Sequence, residues 1–230
     1  MLAFERRWRR QLLRDPSVVL YLPLYELDGS SFMDKSPYGH LCTVTGAVYR
    51  NTGWTFDGTD DAIDCGKDAS MQDMANMTMI AWFYQVDGAV AQPRIIGKQT
   101  ATAANYGPAL SVDASMRLEV YGDFATTPMR HRTNAYTSFL TWHHAAFTWD
   151  GSSTAAKCLI YFNGAECAYG YAANGVGARV SDAAYSLIIG NASDNSRQFQ
   201  GTIGDCWVYN RILTASEIQH NYQETRWRYK

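Results

Sequence analysis

The chain reads as an all-β protein: a two-sheet antiparallel sandwich with a short helix at each end. Three observations lead there. From Val18 onward the sequence breaks into short runs rich in β-branched and aromatic residues, separated by clusters of Gly, Asn and Asp. Helical spacing is confined to the two ends. No self-similarity with a period of about 20–50 residues exists, which argues against a propeller or a solenoid. A length of 230 residues with 18% charged side chains suits one large sandwich core better than two small ones joined by a linker.

Taken in order, Phe4, Trp8 and Leu12 stand at i, i+4 and i+8 with Arg6, Arg7, Arg9 and Arg10 among them, the spacing of a short amphipathic helix. Asp15-Pro16 ends it, because the residue before proline is pushed out of the α region. Strands are expected over 18–24, 43–49, 62–65, 77–84, 94–98, 109–112, 116–121, 143–149, 157–162, 186–189 and 203–209. From Met77 to Tyr84 nearly every residue is apolar, as in a central strand covered on both faces. From Met116 to Tyr121 the alternation turns Leu118 and Val120 to the core and Arg117, Glu119 and Tyr121 to solvent. Tyr161-Phe162-Asn163-Gly164-Ala165-Glu166 is a hairpin with a type I′ turn, whose two central residues need positive φ. Thr214 and Glu217 have the spacing of a capping box, so a helix should start there and run to about Tyr222 or beyond.

Cys42, Cys65, Cys158, Cys167 and Cys206 match no zinc or redox spacing, and their odd number leaves at least one thiol free. The Asn163-Gly164 turn sets Cys167 opposite Ile160, leaving Cys158 diagonal to it and badly placed for a bridge. No apolar segment follows the first arginines, so synthesis in the cytoplasm without a signal peptide, with reduced thiols, is expected. The apolar runs fall far short of the roughly 20 residues that span a bilayer.

Charge is unevenly spread. The chain holds 20 Lys and Arg and 22 Asp and Glu; five arginines and Glu5 lie in residues 1–14, and Arg226, Arg228 and Lys230 lie in the last five. Residues 15–225 are left with 12 basic and 21 acidic side chains, near −9. The sequence divides into a basic arm (1–16), a sandwich domain (17–223) and a basic tail (224–230). Basic ends on an acidic body suit contact with an acidic protein surface through Phe4, Arg6, Arg7, Trp8, Arg9, Arg10 and Leu12, or a solvated arm. The body repels nucleic acid.

Several ordered segments carry a resemblance. They are Leu20-Tyr21-Leu22-Pro23-Leu24, Asp34-Lys35-Ser36-Pro37-Tyr38-Gly39, the stretch Phe56 to Gly66 around Asp60-Asp61, and Met77 to Phe83. Trp142 to Gly151, Ile160 to Gly164, Phe199 to Asp205 and Val208 to Ile218 follow in the same order. Over about Val18 to Tyr222 the chain resembles the laminin G-like, concanavalin A-like jelly-roll family. The resemblance implies two antiparallel sheets face to face, with the first and last strands adjacent. It implies little about the ligand, because the fold serves lectins, adhesion domains, glycoside hydrolases and viral structural proteins. Relatives of this fold often hold a structural calcium, which favours six to eight oxygens; Asp205 matches the position of an acid used that way and Asp34 is a second candidate, the alternative being loop capping and an Asx-turn.

A glycan hydrolase of this fold would need two carboxylates flanking the bond, in a Glu-x-Asp-x-x-Glu pattern. The Glu-x-Asp here, Glu26-Leu27-Asp28, runs into a turn with no third acid. His143 and His144 lie in a core strand without a nucleophile at motif spacing and read as structural. Asp57, Asp60, Asp61 and Asp64 read as a hairpin turn. Tyr84, Tyr121, Trp142 and Tyr171 could stack on sugars. The function expected is a non-catalytic binding or structural module at a phage or virus particle surface, a decoration or tail-attachment protein that touches glycans. The rivals are a free lectin or adhesin and a degenerate glycoside hydrolase. A symmetric surface would favour a homo-oligomer.

Overall fold

The computed structural model describes residues 15–86, 92–98, 107–135 and 138–230. The expected N-terminal helix, with Phe4, Arg6, Arg7, Trp8, Arg9, Arg10 and Leu12, lies outside the described residues. Short runs bounded by turn residues give β1 (Val18–Leu22), β2 (Ser31–Met33), β3 (Leu41–Thr45), β4 (Val48–Arg50), β5 (Gly53–Asp57), β6 (Ala62–Asp64), β7 (Met77–Gln85), β8 (Arg94–Gly97) and β9 (Ala109–Val112). Next come β10 (Arg117–Gly122), β11 (Met129–Ala135), β12 (Trp142–Trp149), β13 (Leu159–Phe162), β14 (Ala165–Glu166), β15 (Tyr169–Ala173), β16 (Ile188–Ile189) and β17 (Gln200–Tyr209). The helix α1 (Ala215–Thr225) and a 3-10 turn, Arg226–Arg228, complete the order.

Two antiparallel sheets result. The first runs β14-β13-β12-β7-β17-β5-β4, with β1 also paired to β17; the second runs β15-β11-β10-β9-β8-β16-β6-β3-β2. Val18 pairs with Tyr209 and Leu22 with Cys206, so the first and last described strands are neighbours. Between the sheets Leu20, Leu22, Met79, Phe83, Phe147 and Trp149 meet Ile96, Leu110, Val112, Leu118, Val120 and Ile189. β7 is covered on both faces as expected. Met79, Ala81 and Phe83 enter that core, while Ile80 and Trp82 enter a second apolar layer beneath α1 with Tyr21, Trp207, Tyr209 and Ile218.

Local chemistry behaves as the residues dictate. Asn163 and Gly164 take φ of 49° and 82°, and Cys167 N–H donates to the Ile160 carbonyl at 2.9 Å, the register a two-residue turn requires. All five cysteines are free and buried. Burial pushes the Cys167 thiol up to about 12 and the Cys158 thiol higher still, so both stay protonated and inert.

The capping box forms: Thr214 Oγ1 accepts from Glu217 N–H at 3.2 Å, and Glu217 Oε2 accepts from Thr214 N–H at 2.8 Å. Thr214→Ala is expected to lower stability by about 1 kcal/mol; urea unfolding that moves by less than ~0.3 kcal/mol would show that the cap contributes little beyond the packing of α1.

Strands β2, β5, β11 and β15 lie outside the expected ranges, and one expected strand is split. The single strand expected over 43–49 breaks at Gly46 into β3 and β4, which belong to different sheets. Gly46 has φ of 70°, and a Cβ there would lie 1.9 Å from Asp61 Oδ1, so only glycine lets the chain cross between the layers at this point. β11 was not expected at all. Its core-facing residues are Met129, His131 and Thr133, buried although two are polar, and they leave no apolar alternation to read. No described helix is long and apolar enough to cross a membrane.

Candidate functional site

The C-terminal residues do not project as a tail; they pack on the outer face of the first sheet and wall off a cleft. Gly204 makes this approach feasible, since a Cβ there would lie 2.6 Å from the Tyr229 ring. The Tyr229 hydroxyl accepts from Asp205 N–H at 2.8 Å, and Arg228 Nη1 donates to Asp205 Oδ2 at 2.8 Å with both side chains buried. The Arg228 guanidinium also lies over Tyr25, 4.4 Å from the ring centre. Trp82, projecting from β7, stacks on Tyr229 at 4.5 Å and Tyr222 at 5.6 Å, and its indole N–H donates to Thr225 Oγ1 at 2.8 Å. Trp142 of β12 leans on Tyr229 at 4.7 Å.

Between these rings opens a cleft of about 610 Å³ lined by Trp82, Trp142, Tyr222, Trp227 and Tyr229, with Asn163, Gln223, Arg226 and Lys230 as its polar part. Trp227 is 47% exposed and Trp142 half-buried. Flat apolar walls beside amides and cations form a site that can stack a ring and hydrogen-bond its substituents. Of the aromatics singled out in the sequence, Trp142 is in this wall and Tyr84 packs on it at 5.8 Å, whereas Tyr171 is exposed on the opposite sheet. Tyr222, Trp227 and Tyr229 were missed. The signal available was the run Tyr222 to Tyr229, three aromatics within a basic segment.

The outer face of the second sheet corrects an expectation. Glu119 and Tyr121 do not meet solvent; they are 0% and 3% exposed. Glu119 takes a short hydrogen bond from Arg130 Nε, one from the Tyr121 hydroxyl at 2.6 Å and one from Gln92 Nε2 at 3.0 Å. The arginines come from β11, the strand hidden from sequence reading, and this charge layer seals the face that alternation alone would leave wet. Arg132 Nη1 lies 3.6 Å from Asp113 and 3.8 Å from Glu119, so two carboxylates flank one guanidinium. A hydrolytic acid must hand its proton to a glycosidic oxygen within hydrogen-bond reach. Among the described residues the Glu119 carboxylate is enclosed by the donors of Arg130, Tyr121 and Gln92. Glu26 and Asp28 are exposed, with Asp28 Oδ1 accepting from Gly29 N–H at 2.7 Å.

The two acids considered for calcium are held by donors. Asp34 accepts from the backbone N–H groups of Tyr21, Ser36 and His40, and its Oδ2 lies 3.0 Å from His40 Nδ1. Burial alone would raise its pKa, but these hydrogen bonds outweigh burial and hold the carboxyl below its usual range. Asp205 faces Arg228. Calcium needs a shell of oxygens, and N–H groups and a guanidinium do not supply one, so these residues do not fit the ion. Carboxylate oxygens of Asp57, Asp60 and Asp61 lie within 4.8 Å of one another. Two of them serve the turn: Asp61 Oδ2 accepts from Asp57 N–H and Asp57 Oδ1 from Thr59 N–H, both at 2.7 Å.

His143 and His144 are buried in β12, at 5% and 0% exposed. His144 Nε2 lies 2.9 Å from Asn221 Oδ1, tying β12 to α1, and burial pulls its pKa down to about 4 against that bond. In an unfolded chain a histidine titrates near 6.5. Between these values the unfolded chain binds a proton that the folded one refuses, so stability present above pH 6.5 is lost as pH falls toward 4, by about 3 kcal/mol in all. His40, raised because Asp34 and Asp68 outweigh its burial, acts oppositely: its contribution is full below 6.5 and is lost as pH rises through its raised value. Urea unfolding at pH 7, 5 and 4 should show the acid loss, and His144→Gln should flatten it. Equal slopes in the two proteins would refute the assignment to His144.

Comparison with known proteins agrees with this architecture. The laminin G family model described as the concanavalin A-like lectin/glucanases superfamily matches residues 57–219. No curated protein matches. Among solved structures, a mutant of Trypanosoma rangeli sialidase displaying trans-sialidase activity superposes with a TM-score of 0.71 at 16% identity, over 99% of this chain and 38% of that one. The binding domain of botulinum neurotoxin serotype D gives 0.66 at 14% identity, over 91% and 52% of the two chains. The binding domain of Paraclostridial mosquitocidal protein 1 gives 0.64 at 16%, over 90% and 52%. The chain thus spans 38 to 52% of the length of these structures, and at such identities the likeness is one of fold. With two antiparallel sheets, β1 beside β17, and a family match over most of its length, the chain belongs to the concanavalin A-like lectin/glucanase superfamily.

Proposed function

We propose that the chain is a non-catalytic glycan-binding module whose sugar site is the cleft between β7, β12 and the C-terminal segment. The observation that carries this reading is the cleft itself: about 610 Å³ walled by Trp82, Trp142, Tyr222, Trp227 and Tyr229, with amide and cationic groups beside the rings. That volume falls within the range of small-ligand sites, and tryptophan and tyrosine faces suit the apolar face of a pyranose. A glycan array followed by calorimetry on the hits tests it. Trp227→Ala and Trp142→Ala are each expected to weaken binding about tenfold or more, as central aromatic anchors do. An empty array, or variants that bind as the wild type does, would remove the cleft from consideration.

The finer reading places the module on a virus or phage particle, held to an acidic surface by the basic segment at residues 1–16. The charge contrast between that segment and the acidic body supports it. Deleting residues 1–16 should abolish attachment to purified particles; saturable glycan binding that survives the deletion, with no particle attachment by the full chain, would favour a free lectin or adhesin.

A further inference from the structure

We infer that the cleft selects anionic sugars, carrying a carboxylate or sulfate, over neutral ones; this rests on the glycan-binding reading above. The argument comes from how the structure sorts the basic residues of the last five positions. Arg228 is spent within the fold, buried and paired with Asp205 at 2.8 Å. Arg226 and Lys230 are exposed and line the cleft, and among the described residues none of its lining side chains is Asp or Glu. The nearby acid of α1, Glu224, lies 3.9 Å from His220 and outside the lining. Two cations thus converge on one wall of a body that is otherwise near −9. Against that background a local positive potential discriminates between ligands instead of attracting every anion to the surface.

The geometry adds direction to the charge. The Arg226 guanidinium lies over the Tyr222 ring, 5.8 Å from its centre, so the planar fork is held beside an aromatic wall. A pyranose stacked on the exposed Trp227 or on Trp142 would carry its exocyclic group to the rim, where Arg226 can grip a carboxylate or sulfate with two parallel N–H donors and Lys230 can add a point charge. The opposite sheet also presents arginines, Arg130 and Arg132, but their charge is already met by Glu119 and Asp113.

The test is calorimetric titration of the full chain with tetragalacturonate, with its carboxyl-reduced neutral counterpart, and with a chondroitin sulfate hexasaccharide. The acidic probes are expected to bind about tenfold tighter than the neutral one at ~50 mM salt, with the advantage largely lost at ~0.5 M. Equal binding of the two acidic probes points to the carboxylate that both carry, and tighter binding of the chondroitin probe to its added sulfate; either supports the inference. The double variant Arg226→Gln with Lys230→Gln, checked for an unchanged melting temperature, should bind the acidic probe no better than the neutral one. Equal affinity of the wild type for acidic and neutral probes would overturn the inference while leaving the glycan reading intact, and binding of none of them would sink both. A preference that survives the double variant but is lost in Arg132→Gln would overturn it too, by placing the anion on the second sheet.

Discussion

Asp205→Ala is expected to lower stability by roughly 3–5 kcal/mol, the usual cost of removing one partner of a buried ion pair. Asp205 is 0% exposed and Arg228 7%, so the substitution leaves a guanidinium enclosed between Tyr25 and Trp227 without its carboxylate. Arg228 can regain water only if the C-terminal segment lifts, and lifting exposes Tyr229 and the face of Trp82 that it covers. Loss of stability should therefore come with a change in tryptophan fluorescence and loss of the cleft. Arg228→Ala should cost about as much, and the double variant less than the sum of the two by about 1–3 kcal/mol, because neither charge is then left alone. A cost of Asp205→Ala below ~1 kcal/mol would show that the pair does not anchor the segment. A wild-type melting temperature that rises with calcium and falls with chelator, a response Asp205→Ala abolishes, would return the acid to the role of metal ligand.

The second large effect is expected at Glu119. Its carboxylate joins Arg130, Tyr121 and Gln92 with no solvent exposure. Glu119→Ala takes the carboxylate away from the Arg130 guanidinium and the Tyr121 hydroxyl, while Arg132 keeps Asp113 at 3.6 Å, at a cost of about 3 kcal/mol. The lower end of the range applies because Arg130 and Arg132 are 29% and 19% exposed and can turn toward water. Glu119→Gln keeps one acceptor oxygen but brings amide hydrogens toward a guanidinium, so it should also destabilise. Chemical unfolding of both variants, with a reducing-sugar assay on β-glucan and other polysaccharides, separates the two roles of this residue. A Glu119→Gln protein as stable as the wild type that has lost a hydrolysis the wild type performs would reinstate the degenerate hydrolase and end the non-catalytic reading.

These two sites divide what can be read along a chain from what cannot. The Asn163-Gly164 turn, the Thr214 to Glu217 cap, the two-sided apolar run of β7 and the unpaired cysteines were all legible, because each depends on residues within a few positions of one another or on composition alone. The sandwich itself was legible for the same reason, since apolar alternation needs no knowledge of the partner strand. Glu119 was read as solvent-facing because alternation reports only the side of the sheet. Whether that side is wet was decided by Arg130 of β11, a strand whose own inward residues include His131 and Thr133 and so show no apolar period. Asp205 was read as a candidate metal acid with loop capping as the alternative, and its partner Arg228 was out of reach of that reading, 23 positions away in what looked like a basic tail. The cleft required β7, β12 and the C-terminal segment to meet, and Trp82, Trp142 and Trp227 become one surface only there. Local conformation and apolar periodicity are properties of the sequence by itself. Where a charge is buried and where a site forms depend on long-range partners, because desolvating a charge is tolerated only once its counter-charge has been brought to it by the fold.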